Sequence, residues 1–164
     1  MKYLIALSCM LLSFSAFAQE MTENEKVNSK GLDFWYVITN TQEKTDYTRY
    51  EVTVYCKNNN ETMIYKAPVV QNGTYIKYET DIATFNCTNA TGKRLTPKYA
   101  NVQMSYLTVP ISNTYTDCRT NKTITEIKYV QAGTVMQPGE TRTRKVIFLT
   151  PKGEKPKINL VFLL

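Results

Sequence analysis

Tyr47 to Lys57 reads YTRYEVTVYCK and runs straight into Asn58-Asn59-Asn60. Tyr50, Val52, Val54 and Cys56 fall on one face of an extended chain and Glu51, Thr53, Tyr55 and Lys57 on the other, the period-2 pattern of a half-buried strand. Its residues are β-branched and aromatic, no Gly or Pro interrupts them, and the asparagine run supplies the turn chemistry that stops it. The stretch predicts a central core strand.

Working outward, Leu32 to Asn40 (LDFWYVITN) predicts a preceding strand with Leu32, Phe34, Tyr36 and Ile38 on one face. The short link TQEKTD makes it an antiparallel neighbour. Glu61 to Val70 comes next, with Pro68 marking an edge or a strand end. Asn72-Gly73 is a turn dipeptide, and Thr74 to Cys87 reads as two strands broken near Glu79-Thr80-Asp81. Tyr99 to Ile111 reads as one strand with Val102, Met104 and Tyr106 on a shared face, and Lys122 to Gln131 as the next. Pro138-Gly139 then turns the chain into Arg142–Leu149 and Lys157–Leu164, two strands expected to flank the turn PKGEKP as a last hairpin. Seven to nine short strands, regular turn signals and no helical stripe predict an all-β fold. The expected form is an antiparallel immunoglobulin-like β-sandwich in a single domain over residues 32–164, with a β-barrel as the structural rival.

The chain begins MKYLIALSCMLLSFSAFAQE. Lys2, the apolar run from Tyr3 to Phe14 and the small-x-small end Ala16-Phe17-Ala18 are the parts of a secretory signal peptide, residues 1–18, cleaved after Ala18. Lipid attachment at Cys9 is disfavoured because most of the apolar run lies beyond it. The expected mature chain is secreted or periplasmic, and no later stretch is long and apolar enough to span a bilayer. Residues 19–31, QEMTENEKVNSKG, are polar without period and read as a flexible lead. The formal charge of +6 falls by one when Lys2 is lost. A modest, scattered excess of this kind favours solubility over nucleic-acid binding.

Cys56, Cys87 and Cys118 remain beyond the leader. In an oxidising compartment two should pair. Cys56 lies on the inward face of the central strand and suits a small hydrophobe. Cys87 and Cys118 sit in turn-rich segments, NCTNATGK and YTDCRTNK, so a Cys87–Cys118 disulfide is the favoured expectation. Five Asn-x-Ser/Thr sequons, at Asn60, Asn72, Asn86, Asn89 and Asn121, would carry sugars only in a eukaryotic secretory pathway.

The chain has no histidine. That removes the commonest general base, the commonest metal ligand and the Ser-His and Cys-His nucleophilic pairs together. The cysteines are about thirty residues apart, unlike a zinc knuckle, so no metal or cofactor is expected. Glu79 and Asp81 share a face only if that strand runs unbroken, and two such acids could cut a glycosidic bond, but a solvated polar face is the better reading. Twelve tyrosines and one tryptophan raise a sugar-stacking reading. Tyr36, Tyr50, Tyr78 and Tyr106 suit a core face, leaving Tyr47, Tyr55, Tyr75 and Tyr115 for solvent. Arg142, Arg144, Lys145, Lys152, Lys155 and Lys157 gather on the expected last hairpin, where they could meet an anionic partner or simply guard an edge strand. Leu160 to Leu164 must be buried in its own sheet or completed by a partner strand. The sequence therefore predicts a non-enzymatic binding or structural module with an unidentified protein or glycan partner. A carbohydrate-binding or adhesive module and a strand-addition assembly subunit are the alternatives.

Overall fold

The structure is a computed structural model and describes residues 19–71, 73, 75–92 and 94–164. The expected leader, residues 1–18, and Asn72 of the expected turn lie outside the described residues. In chain order the strands are β1 (Gln19–Met21), β2 (Val27–Ser29), β3 (Leu32–Glu43), β4 (Tyr47–Asn58), β5 (Ile64–Lys66), β6 (Val69–Gln71) and β7 (Tyr75–Lys77). They continue with β8 (Asp81–Thr88), β9 (Arg94–Gln103), β10 (Ser105–Asp117), β11 (Lys122–Met136), β12 (Thr141–Pro151) and β13 (Lys157–Phe162). No helix occurs among the described residues.

Two four-stranded antiparallel sheets form the body, in the orders β12-β4-β3-β2 and β1-β13-β8-β9. β4 is an inner strand paired along its whole length, as its pattern predicts, with Cys56 opposite both Phe34 and Arg142. Tyr50, Val52, Val54 and Cys56 are all buried, and they meet Leu32, Phe34 and Tyr36 of β3 on the same inner face. The second sheet brings Phe85, Cys87, Ile158 and Leu160 to the same core. Phe34 links the sheets, its ring centroid 6.5 Å from Phe85 and 5.2 Å from Phe162. Period-2 alternation buries one face of each strand, so one core serves both sheets.

The asparagine run does more than end a strand. Fully buried Asn58 donates from Nδ2 toward the carbonyls of Thr62, Met136 and Gln137, each at 3.2 Å. Its Oδ1 accepts from the backbone and side-chain nitrogens of Asn60 at 3.0 Å. Asn60 in turn donates to Lys30 O, and Asn59 N to Gly31 O. Three separate turns are thereby tied to one point.

Three expectations fail in informative ways. Residues 19–31 are not an unstructured lead: β1 pairs with β13, β2 pairs with β3, and Met21 and Val27 are buried. The two apolar side chains are too sparse to show a period, yet each covers one edge of the core. The last two strands form no hairpin. β12 pairs with β4 in one sheet and β13 with β8 and β1 in the other, so residues 152–156 cross between sheets. Glu154 holds that crossing by accepting at its carbonyl from Thr150 Oγ1 (2.7 Å) and Tyr50 OH (3.2 Å). The Cys87–Cys118 disulfide is also absent, and all three described cysteines are free. Cys87 points into the core from β8 whereas Cys118 lies exposed in the turn after β10, on a different part of the fold.

Candidate functional site

The alternation from Tyr99 to Ile111 predicts one strand, but the strand breaks at Met104. Met104 is buried and its N–H donates to Thr80 O at 2.8 Å. Before the break, β9 completes a sheet of the body; after it, β10 leaves the body paired only with β11. The two strands run through thirteen register pairs, from Ser105↔Val135 to Asp117↔Lys122. Most of this ribbon is exposed on both faces. It is a two-stranded arm.

The arm's root is built from tyrosines and one glycine. β5 pairs with the last residues of β11, placing Lys66 opposite Thr134, Tyr65 opposite Val135 and Ile64 opposite Met136. Between Leu107 and Thr108 the register shifts, leaving Ala132 as the extra residue of a β-bulge, a device that bends a strand and re-aims the residues beyond it. Tyr65 OH donates to Ala132 O (2.8 Å) and Tyr78 OH to Gln131 O (2.9 Å), so two phenols fix the carbonyls at the bend. Tyr78 also meets Tyr106 edge-on at 6.1 Å, and Thr134 Oγ1 donates to Glu79 O at 2.9 Å. Gly133 completes the joint, because a Cβ there would lie 2.5 Å from both the Lys66 carbonyl oxygen and the Tyr65 ring. Gly133→Ala is expected to cost about 1–3 kcal/mol through overpacking, and to speed hydrogen exchange in β5 and the root of β11 first.

At the tip, Asp117 closes the turn. Its carboxylate accepts from Arg119 N and Thr120 Oγ1, both at 2.9 Å, and these bonds hold its pKa below the ordinary carboxylate value. Along the arm the side chains divide by charge. Asn113↔Glu126, Ile111↔Lys128 and Asp117↔Lys122 place charges on one face. The other carries Tyr106, Thr108, Pro110, Ser112, Thr114 and Thr116 beside Thr123, Thr125, Ile127 and Tyr129, with no charge at all. On that face Tyr106 is 59 %, Ile127 64 % and Tyr129 74 % exposed.

The residues expected to form sites fall elsewhere. The six basic residues do not share a surface: β12 alternates, so Lys145 lies on the opposite face from Arg142 and Arg144, while Lys152 and Lys155 lie in the crossing and Lys157 on the other sheet. Arg142 is held in an ion pair with Glu140 and donates to Ser105 Oγ, and Lys157 lies 3.9 Å from Glu20. Glu79 and Asp81 do line a common cleft of about 430 Å3 with Lys66 and Lys77. However, Asp81 accepts from Asn101 Nδ2 (2.6 Å) and Gln103 Nε2 (2.7 Å), and Glu79 pairs with Lys77 at 3.5 Å.

Among the described residues, the tyrosines expected at the surface do not converge. Trp35 and Tyr55 stack across β3 and β4 at 4.8 Å and 2°, and Lys26 Nζ covers Trp35 at 5.3 Å from the ring centroid. Neighbours therefore engage the ring faces of the tryptophan. Tyr47 sits at the start of β4 and Tyr115 far away on the arm, bonded to Glu126, and the side chain of Tyr75 lies outside the described ones. Tyr36 and Tyr50 are buried as expected, but Tyr106 is not. The C-terminal strand is paired on both sides within its own sheet. Sequence reasoning misses the arm because the alternation continues unbroken through Met104. The signal that marks it is length, since two thirteen- to fifteen-residue strands far exceed the usual five or six.

The thiols separate in reactivity. Burial pushes both Cys56 and Cys87 up to about 12, with Asp33 adding to the effect on Cys56, so neither offers thiolate at neutral pH. In a chain lacking residues 1–18, and so Cys9, a maleimide at pH 7 is expected to add once per folded molecule, at Cys118, and to reach Cys56 and Cys87 only in denaturant. Intact mass before and after unfolding checks this.

Among the described residues no helix is long and apolar enough to cross a membrane, and no group of three or more His, Cys, Asp or Glu side chains could hold a metal ion. No protein-family model, curated protein or solved structure matches the chain.

Proposed function

We propose that this chain is a secreted or periplasmic, non-enzymatic binding or structural module, an immunoglobulin-like β-sandwich whose working part is the β10–β11 arm. The observation that carries the reading is the uncovered arm itself, with Tyr106, Ile127 and Tyr129 on one uncharged face. An isolated two-stranded ribbon is marginal in water. Large exposed apolar side chains in one contiguous strip mark an interaction surface. The export reading rests on the leader, and the non-enzymatic reading on the missing histidine together with carboxylates already engaged in bonds. Assembly through strand pairing is favoured over sugar binding, because the arm leaves strand edges open while the Trp35 ring is covered.

Excising the arm tests this. A variant that joins Leu107 to Ala132 through an Asn-Gly turn is expected to fold cooperatively, with a thermal midpoint within about 5 °C of the parent, since Phe34, Phe85 and Phe148 lie in the body. A body that cannot fold without the arm would make the arm a structural brace and overturn the reading.

A further inference from the structure

Sheet edges are where strands invite other strands, and proteins guard them with shortness, charge or cover. In this fold β1, β2, β5, β6 and β7 are three residues long. β9 and β12 are the facing edges of the two sheets, and Tyr99, Asn101, Arg144 and Lys145 line one cleft between them. The outer edge of β11 beyond its pairing with β5 carries Lys122, Glu126 and Lys128. β10 differs: it is thirteen residues long, pairs on one side only, and carries no charge from Ser105 to Thr116.

We propose that the open edge of β10 is completed by β10 of a second copy of this chain, joined antiparallel about a two-fold axis into a four-stranded sheet β11-β10-β10-β11. The inference rests on the arm being the binding part. A chain of formal charge +6, one less once Lys2 is removed, repels its own copies over most of its surface, and β10 presents no charge that two copies would set against each other. Pairing a strand with itself across a two-fold is self-complementary. Centred on Ile111, it sets Leu107 opposite Tyr115, Val109 opposite Asn113 and Thr108 opposite Thr114 of the second copy. Pro110 has no N–H to give, and its place in a paired strand fits a nitrogen turned to the open side, so the pairing forgoes one bond per copy. The assembly also closes. Once the two β10 edges are joined, the outer edges are those of β11, which charged side chains guard.

Cys118 provides the probe. Spin labels on it in the mature chain should report one distance, because the centred pairing separates the two tips by fourteen residue rises, about 48 Å. Sedimentation of the same protein should give a dimer. Ser112→Pro removes a donor on the same side of β10 as Pro110 and spares the ladder to β11, and Ile111→Lys sets two cations together at the axis. Each is expected to weaken the dimer at least about ten-fold, with circular dichroism unchanged. A dimer that survives both variants, or labels less than about 25 Å apart, would overturn edge pairing. A monomer at the highest soluble concentration would overturn the second copy as occupant, while the arm-excision result would still decide the reading beneath it.

Discussion

Replacing Asn58 with alanine is expected to lower the unfolding free energy by about 3–5 kcal/mol, a large part of the 5–15 kcal/mol that holds a domain of this size together. From a site with no solvent exposure the side chain meets five polar partners, its two N–H groups shared among three carbonyls and its oxygen accepting twice. Its backbone adds two more, Asn58 N to Glu140 O at 2.9 Å and Gly139 N to Asn58 O at 2.8 Å. Alanine would leave the carbonyls of Thr62, Met136 and Gln137 without this donor, and unmet buried polar groups cost more than the bonds themselves contribute. Asn58→Asp should be as severe at pH 7, because it keeps the acceptor for Asn60 and turns a charged oxygen toward three carbonyls. Urea unfolding would show the midpoint falling at constant slope. A loss below about 1 kcal/mol would mean that these turns hold without the hub. The same residue bears on the arm, because Met136 and Gln137 lie where β11 re-enters the body.

How far the fold can be read from the sequence depends on where side chains alternate without interruption. β4 is legible because one face is buried from end to end and Asn58-Asn59-Asn60 stops the pattern, and β3 because the same alternation buries Leu32, Phe34 and Tyr36. The break at Met104 is not, since Val102, Met104 and Tyr106 keep a faultless period of two. What ends β9 is tertiary, a backbone bond to Thr80 O and a methionine drawn into the core. Past that point the same alternation describes a ribbon with no core to face, so Tyr106 reads as buried and lies exposed. The crossing at residues 152–156 misleads for a related reason: PKGEKP has hairpin chemistry, but β12 finds a better partner in β4 and β13 in β8. Local turn signals locate a reversal and leave the partner open. Of the candidate site, the two strands can be seen, whereas the tyrosine clamps on Gln131 O and Ala132 O join residues more than fifty positions apart.

Phe34→Ala is expected to destabilise the body by about 3–5 kcal/mol, in the range of large aromatic truncations in closed cores. Phe34 is 1 % exposed and contacts rings of the opposite sheet at two positions, Phe85 and Phe162, so its removal opens a cavity where the sheets meet. Phe34→Leu should cost less, because more of the volume stays filled. If the sheets share one core, the variant will still unfold in a single transition at a lower midpoint, and amides of β4, β8 and β13 will lose protection together. Two separable transitions would mean that each sheet is held mainly by its own contacts. The arm supplies an internal control. Residues 111–128 lie beyond the tyrosine clamps and outside the shared core, so their exchange reports local opening of the ribbon rather than global unfolding. Exchange there should stay the same in Phe34→Ala and slow only where a second strand covers β10.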